Sequence, residues 1–237
     1  MKMKNKKAEQ VLKKKKHLEE LRKAKRRKRN EEPSLERSEP QKEEKQKILI
    51  VCEGENTEPS YFNKFKLSTA TIKSVGEGYN TLTLVDRAKQ LSEEDDYDQV
   101  WCVFDKDDFP NENFNNAIFK AEGMGFKVAY SNQAFEYWLI LHFEDHQGAS
   151  MHRNQYCKKI NKYLKEFKIA YDCDSKKISD DFFEVLISKI EGQDQSRQDL
   201  AFKRAERNLK NFDNKNPAKE ESSTKVHLLI EEIEKYK

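Results

Sequence analysis

Two apolar runs of five residues each end abruptly in carboxylates: Ile48-Leu49-Ile50-Val51-Cys52 meets Glu53-Gly54, and Val100-Trp101-Cys102-Val103-Phe104 meets Asp105-Lys106-Asp107. An unbroken apolar run of that length, closed by a turn signal, is the pattern of a strand buried on both faces within a parallel sheet. In open α/β sheets the functional crevice lies beyond the carboxyl ends of the strands. Carboxylates gathered there repel one another, so the arrangement is costly unless a cation sits among them. Mg²⁺ suits such a place, because it binds a few carboxylates, several waters and the phosphate oxygens of a substrate. These residues point to a metal site for phosphodiester chemistry.

The stretch around these runs alternates between strand and helix patterns. After strand 48–52 the sequence predicts a helix over 58–67, with Pro59 in its first turn, where a missing N–H costs little, and Tyr61, Phe62 and Phe65 as its apolar stripe. Strand 71–75 follows, then helix 80–92 carrying Leu82, Val85, Ala88 and Leu91, then strand 99–104. Phe114, Ala117, Ile118, Ala121 and Met124 keep helical spacing up to Gly125, and strand 127–131 completes the series. Such alternation builds βαβ units and a parallel sheet with flanking helices. Phe135–Phe143 reads as a short buried helix, and the remainder as helices over 152–168, 179–190, 195–212 and 225–236, the last with Val226, Leu229, Ile230, Ile233 and Tyr236 along one stripe. The expected organisation is therefore an arm and linker over 1–45, an α/β domain over 46–145 and a mostly helical region over 146–237. There is no internal repeat.

Charge is distributed unevenly. Residues 1–30 hold 15 Lys and Arg against three Glu, a net of +12, whereas the other 207 residues carry a net of −9. Segments as polar as 1–45 cannot bury enough apolar surface to offset their ordering entropy, so the arm is expected to be disordered, or to form a helix through Leu12, Leu18 and Leu21 only on a partner. Its density of cations is that of a nucleic-acid contact, with Lys13, Lys14, Lys15, Lys16, Arg26, Arg27, Lys28 and Arg29 as candidate phosphate ligands. No apolar leader segment or membrane span is visible, and the four cysteines, Cys52, Cys102, Cys157 and Cys173, form no CxxC pair. A reduced, cytoplasmic setting without membrane contact is the expectation.

Each candidate site residue also has a plain structural reading. Glu53-Gly54 is an ordinary turn when taken alone, and Asp105-Lys106-Asp107-Asp108 an ordinary solvated loop. Side chains alternate along extended chain, however, so Asp105 and Asp107 are expected on one side with Lys106 turned away. The two clusters also end strands separated by one strand and two helices, as in a unit whose outer strands become neighbours. Glu136 falls near the same sheet edge, as an extra ligand or water-orienting group, or as a carboxylate stabilised by a helix N-terminus. His142 is a candidate for proton transfer or phosphate contact. With His146 it shares a helix face, but His-Phe-Glu-Asp-His is not His-Glu-x-x-His and no third zinc ligand is evident. Trp101 and Trp138 read as core, and Lys64, Lys66 and Lys73 as solvated surface. No Gly-x-x-x-x-Gly-Lys-Ser/Thr loop is present, so a nucleotide-driven step would have to come from a partner.

Several segments resemble the RloB-like family: Ile-Val-Cys-Glu-Gly with Thr57-Glu58-Pro59 and Tyr61-Phe62; Val103-Phe104-Asp105-Lys106-Asp107-Asp108 with Phe114 and Ala117; Ser131-Asn132 through Phe135-Glu136-Tyr137-Trp138 to Leu141-His142-Phe143; and Asn216-Pro217 with Ser223-Thr224-Lys225-Val226-His227. The resemblance spans about residues 46–236 and leaves out the arm. It implies a divergent Toprim-like fold in which Glu53, Asp105 and Asp107 hold Mg²⁺ or Mn²⁺. It further implies a nuclease acting in bacterial antiviral defence or abortive infection beside an ATPase partner, with RNA, including tRNA, preferred over DNA. The alternative reading is a non-catalytic subunit that binds the ATPase or nucleic acid. A homo-oligomer is compatible with either.

Overall fold

The computed structural model describes Lys13, Lys16 and residues 19–23, 46–67, 70–74, 81–108, 110–213 and 215–236. The chain divides into two units, Met1–Glu44 and Lys45–Lys237. In the first, Lys13, Lys16 and residues 19–23 are helical and exposed. The expectation of disorder, and the candidates Lys14, Lys15, Arg26, Arg27, Lys28 and Arg29, fall outside the described residues.

In the second unit, strands β1 (Ile48–Cys52), β2 (Ala70–Ser74), β3 (Gln99–Asp105), β4 (Lys127–Asn132) and β5 (Ser223–Thr224) form one sheet in the order β2-β1-β3-β4-β5. The first four are mutually parallel, and β5 pairs antiparallel with the end of β4, Ser131 opposite Thr224. Between the parallel strands run helices α1 (Thr57–Asn63), α2 (Thr81–Ser92) and α3 (Asn111–Gly123). After β4 come α4 (Glu136–Leu141), α5 (Tyr156–Leu164), α6 (Asp180–Ile187), α7 (Arg197–Leu209) and α8 (Val226–Glu234).

The period-two alternation of the strands sorts this material into two layers. Leu49, Val51, Val100, Cys102, Phe104, Val128 and Tyr130 face α2 and α3, meeting Leu84, Val85, Ala88, Phe114, Ala117 and Ile118. Ile48, Ile50, Cys52, Trp101, Val103 and Ala129 face the other way, onto Tyr61, Phe62 and Phe65 of α1 and nearly all of α4. That second layer also takes in Tyr156, Ile160 and Leu164 of α5, Phe182, Phe183 and Leu186 of α6, Ala201 and Ala205 of α7, and Val226, Leu229, Ile230 and Ile233 of α8. The C-terminal helices therefore share the core of the sheet rather than forming a body of their own. Local signals set several helix ends. Ser179 caps α6, and Ser196 with Asp199 forms a capping box on α7. Gly125 at φ +82° closes α3, leaving Met124 exposed beyond the buried stripe it was expected to extend.

Two features differ from expectation. β5, only two residues long, carries no periodic signal of its own; it joins the sheet because the chain returns along β4. Cys157 and Cys173, for which the expected reduced setting implies no bond, form a disulfide with Cα atoms 5.9 Å apart, within the span a disulfide bridges. They lie 16 residues apart in sequence, and the turn that brings them together is tied by Asn161, which accepts from the Tyr171 amide (2.8 Å) and donates to the Tyr171 carbonyl (2.8 Å). Cys52 and Cys102 are buried free thiols, as expected. Among the described residues no helix is long and apolar enough to cross a membrane.

Because the α8 stripe packs on this chain's own sheet, truncating it opens a cavity. Ile230→Ala should lower the unfolding free energy by about 2–4 kcal/mol in a urea titration, and a loss below about 1 kcal/mol would show that α8 is not packed as described.

Candidate metal and phosphate cleft

The strand order reverses between β1 and β3, since the chain leaves β1 toward β2 and returns to lay β3 on the opposite side of β1. A crevice opens at such a switch point, beyond the carboxyl ends of the two strands. Glu53 follows β1 directly, and its amide donates to the Val103 carbonyl of β3 at 2.9 Å, one further rung of the ladder. The Asp105 amide, at the end of β3, donates to Glu53 Oε2 at 3.3 Å. The two strand ends are thus tied by a backbone rung, and the Glu53 side chain is held on the Asp105 amide.

Asp107 enters by a turn. Its amide donates to the Gln133 carbonyl at 2.9 Å and its φ is +45°, a left-handed conformation that Asp adopts more readily than most residues. Asp105 and Asp107 both line the cleft, whereas Lys106 does not and its ammonium turns to the Asp107 carbonyl (3.3 Å). The cleft thus has the one-sidedness expected of an extended chain, although a left-handed turn produces it.

Two more carboxylates reach the same space. Glu58, in the first turn of α1, accepts backbone N–H bonds from Gly54 and from its own amide. A Cβ on residue 54 would lie 2.5 Å from Glu58 Oε2, so only glycine lets that carboxylate approach. Glu136 opens α4 and accepts from the Tyr171 hydroxyl at 3.1 Å, with the Lys176 ammonium 3.8 Å away. Among the described residues, six carboxylates line the cleft (Glu55 is the sixth), with Arg153 and Lys176 as the cations beside them.

The electrostatics follow from this crowding. Burial, opposed by the Asp105 amide and assisted by repulsion from Glu58, raises the Glu53 carboxyl to a pKa of about 7. Burial and then repulsion from Glu136 raise Glu58 to about 7 as well. Asp105 is pushed well above the carboxylate range, first by burial and then by Glu58, Glu136 and Glu53. Its Oδ1 is buried without a hydrogen-bond partner. Arg153 answers part of this demand for positive charge by pairing with Asp107. Its own amide donates to Gln133 Oε1 at 2.9 Å, so one glutamine anchors both partners of the pair. Among the described residues, no three His, Cys, Asp or Glu side chains converge as a ready-made ligand set. The fit to a hard divalent cation rests instead on the orphaned Asp105 oxygen and the concentration of oxygen donors.

His142 lies elsewhere. It is buried at the far end of α4, with Nδ1 2.9 Å from the Trp138 carbonyl and its ring edge-on to Trp138, and it does not line the cleft. Burial lowers its pKa to about 3, so it is a neutral core residue, and the role of proton carrier or phosphate contact expected for it does not fit this position. His146 is held by the Tyr137 hydroxyl at 3.0 Å. Glu58, Arg153, Tyr171 and Lys176 were not singled out from the sequence as site residues. Glu58 belongs to a helix start and to the Thr57-Glu58-Pro59 segment, and its place between Gly54 and Pro59 is a usable signal. Nothing local marks the other three, which lie 48 to 71 residues beyond the end of β3.

A family model described as RloB-like protein matches residues 48–233, from the first residue of β1 into α8. No curated protein and no solved structure matches the chain.

The raised carboxyl pKa values have a stability consequence without divalent cations. A carboxyl whose folded pKa exceeds its unfolded 4.5 leaves the native state holding more protons, so its contribution is intact below pH 4.5 and is lost as pH rises toward about 7. The metal-free protein should lose stability across that window, at up to about 1.4 kcal/mol per pH unit for each group. Glu53→Gln should flatten the slope and raise the melting temperature at pH 8. A melting temperature that falls in this variant would show that the carboxylate is structural.

Proposed function

The chain belongs to the RloB-like family, and from that membership and the carboxylate cleft we propose that it is a metal-dependent nuclease of Toprim type. The observation that carries this reading is the Glu53 carboxylate held on the Asp105 amide at the switch point, with Asp105 Oδ1 buried and without a hydrogen-bond partner. Glu53, Asp105 and Asp107 would hold Mg²⁺ or Mn²⁺. Bound there, the ion supplies charge to the scissile phosphate and the leaving oxygen, and lowers the pKa of water.

The chain's own residues account for the rest. Arg153 and Lys176 stand at the cleft wall where an anionic phosphodiester must enter a negatively charged site. Glu58, poised near pH 7, is suited to accept or return a proton, since a general base works best with its pKa close to the operating pH. Glu136, steadied by Tyr171, can orient the attacking water. The substrate class is nucleic acid, with RNA, tRNA included, favoured over DNA on family grounds. The same family grounds support, as part of this reading, a role in an antiviral or abortive-infection system beside an ATPase partner, and the lack of a P-loop in this sequence is consistent with it.

A second reading is favoured by one contact. With Arg153 on Asp107, the cluster is partly neutralised by the protein itself, as in a non-catalytic subunit that binds the ATPase or nucleic acid. Cleavage separates the two. Purified protein incubated with mixed tRNA and DNA in Mg²⁺, Mn²⁺ or EDTA should cleave only with metal. Asp105→Asn should reduce the rate by about 100-fold or more, the equivalent of losing roughly 3–4 kcal/mol of transition-state stabilisation. Metal-independent cleavage, or full activity in this variant, would overturn the proposal.

A further inference from the structure

The stretch from Arg153 to Lys168 carries six basic side chains against one acid, Glu166, on a body whose net charge outside the N-terminal 30 residues is −9. Most of it is α5 and the 3-10 turn Lys165–Phe167 that continues it. The helix buries Tyr156, Ile160 and Leu164 in the core it shares with α4. Lys158, Lys162 and Lys165 recur at i, i+4 and i+7, which places them together on one face. All three are exposed, and none makes an ion pair among the described residues. Lys159 differs: it turns inward to Glu144 at 2.8 Å. On α7, Arg204 and Arg207 pair with Asp145, and Lys210 just beyond it pairs with Glu206, while Lys203 is exposed and has no ion pair among the described residues.

This stripe follows the cleft residue Arg153 closely in sequence, since Arg153 lies three residues before α5 begins. The chain leaving α5 returns through Tyr171 and Lys176 to Glu136. From Lys158 to Lys165 the helix rises about 10 Å.

We infer that the exposed face of α5 is a docking track for a nucleic-acid strand, with Lys158, Lys162 and Lys165 holding its phosphates and Arg153 standing where the strand reaches the cleft. The inference rests on the reading of the cleft as a phosphodiester site, but it concerns binding and can fail separately from it. A strand's repeating negative charge fits an unpaired cationic stripe without requiring base contacts, so the track holds substrate by its backbone and is indifferent to sequence.

The test is binding of a fluorescent 20-nucleotide single-stranded RNA to the full chain in EDTA, where metal-dependent cleavage does not interfere, over a range of salt concentrations. The variant K158Q/K162Q/K165Q is compared with K89Q/K203Q/K219Q, which removes the same charge from exposed lysines elsewhere. The track variant should bind about 100-fold more weakly near 0.1 M salt, and its slope of log K against log salt should be shallower by about 2. The control should stay within a few-fold of the parent, and both variants should melt like the parent. Equal weakening in the two variants, unchanged affinity and slope in the track variant, or no binding by the parent would overturn the inference. So would a track variant that loses a co-purifying protein while keeping its RNA affinity, since the face would then belong to that protein. If binding behaves as expected but no metal-dependent cleavage is found, the track stands and the nuclease reading falls.

Discussion

Everything in this site follows from like charges held together by a backbone that cannot move aside. Parallel pairing of β1 with β3 fixes the ends of both strands, and the rung from Glu53 to Val103 and the bond from Asp105 to Glu53 continue that pairing into the cleft. Two carboxylates on flexible loops would separate or solvate. These two do neither, and the cost appears as proton affinities raised first by burial and then by repulsion, from Glu58 on both and from Glu136 and Glu53 on Asp105. Such a site favours whatever brings positive charge: a proton, the Arg153 guanidinium or a divalent cation.

The C-terminal helices complete the cleft. Their apolar faces cover one side of the sheet, and the segments around them deliver Arg153, Tyr171 and Lys176 to carboxylates that begin and end strands of the first half. The burial of Ile230 or Phe182 is therefore an indirect condition for the placement of the cleft's cations. Gln133 makes the coupling explicit: its backbone carbonyl positions Asp107 and its side chain positions Arg153.

Much of this was legible in the sequence, and the rest was not for identifiable reasons. The strands, their parallel order and the meeting of Glu53 with Asp105 could be read because apolar runs and their acidic terminations are local patterns. The α3 stripe was legible up to Ala121 but not at Met124, since periodicity alone does not say where Gly125 stops the helix. His142 was misread because a histidine near acids looks chemical in sequence, whereas α4 carries it away from Glu136 into the core. Arg153, Tyr171, Lys176 and the Cys157–Cys173 pair are consequences of tertiary return, and no local spacing encodes them.

The central claim is that these carboxylates hold protons near neutral pH in the absence of metal and exchange them for a divalent cation. Isothermal titration of Mg²⁺ into the protein at pH 7, in two buffers of different ionisation heat, measures that exchange directly. With Glu53 and Glu58 both near pKa 7, binding should release at least about one proton per ion, with the number falling as pH rises above about 8. Binding without proton release, or no binding at all, would contradict the account.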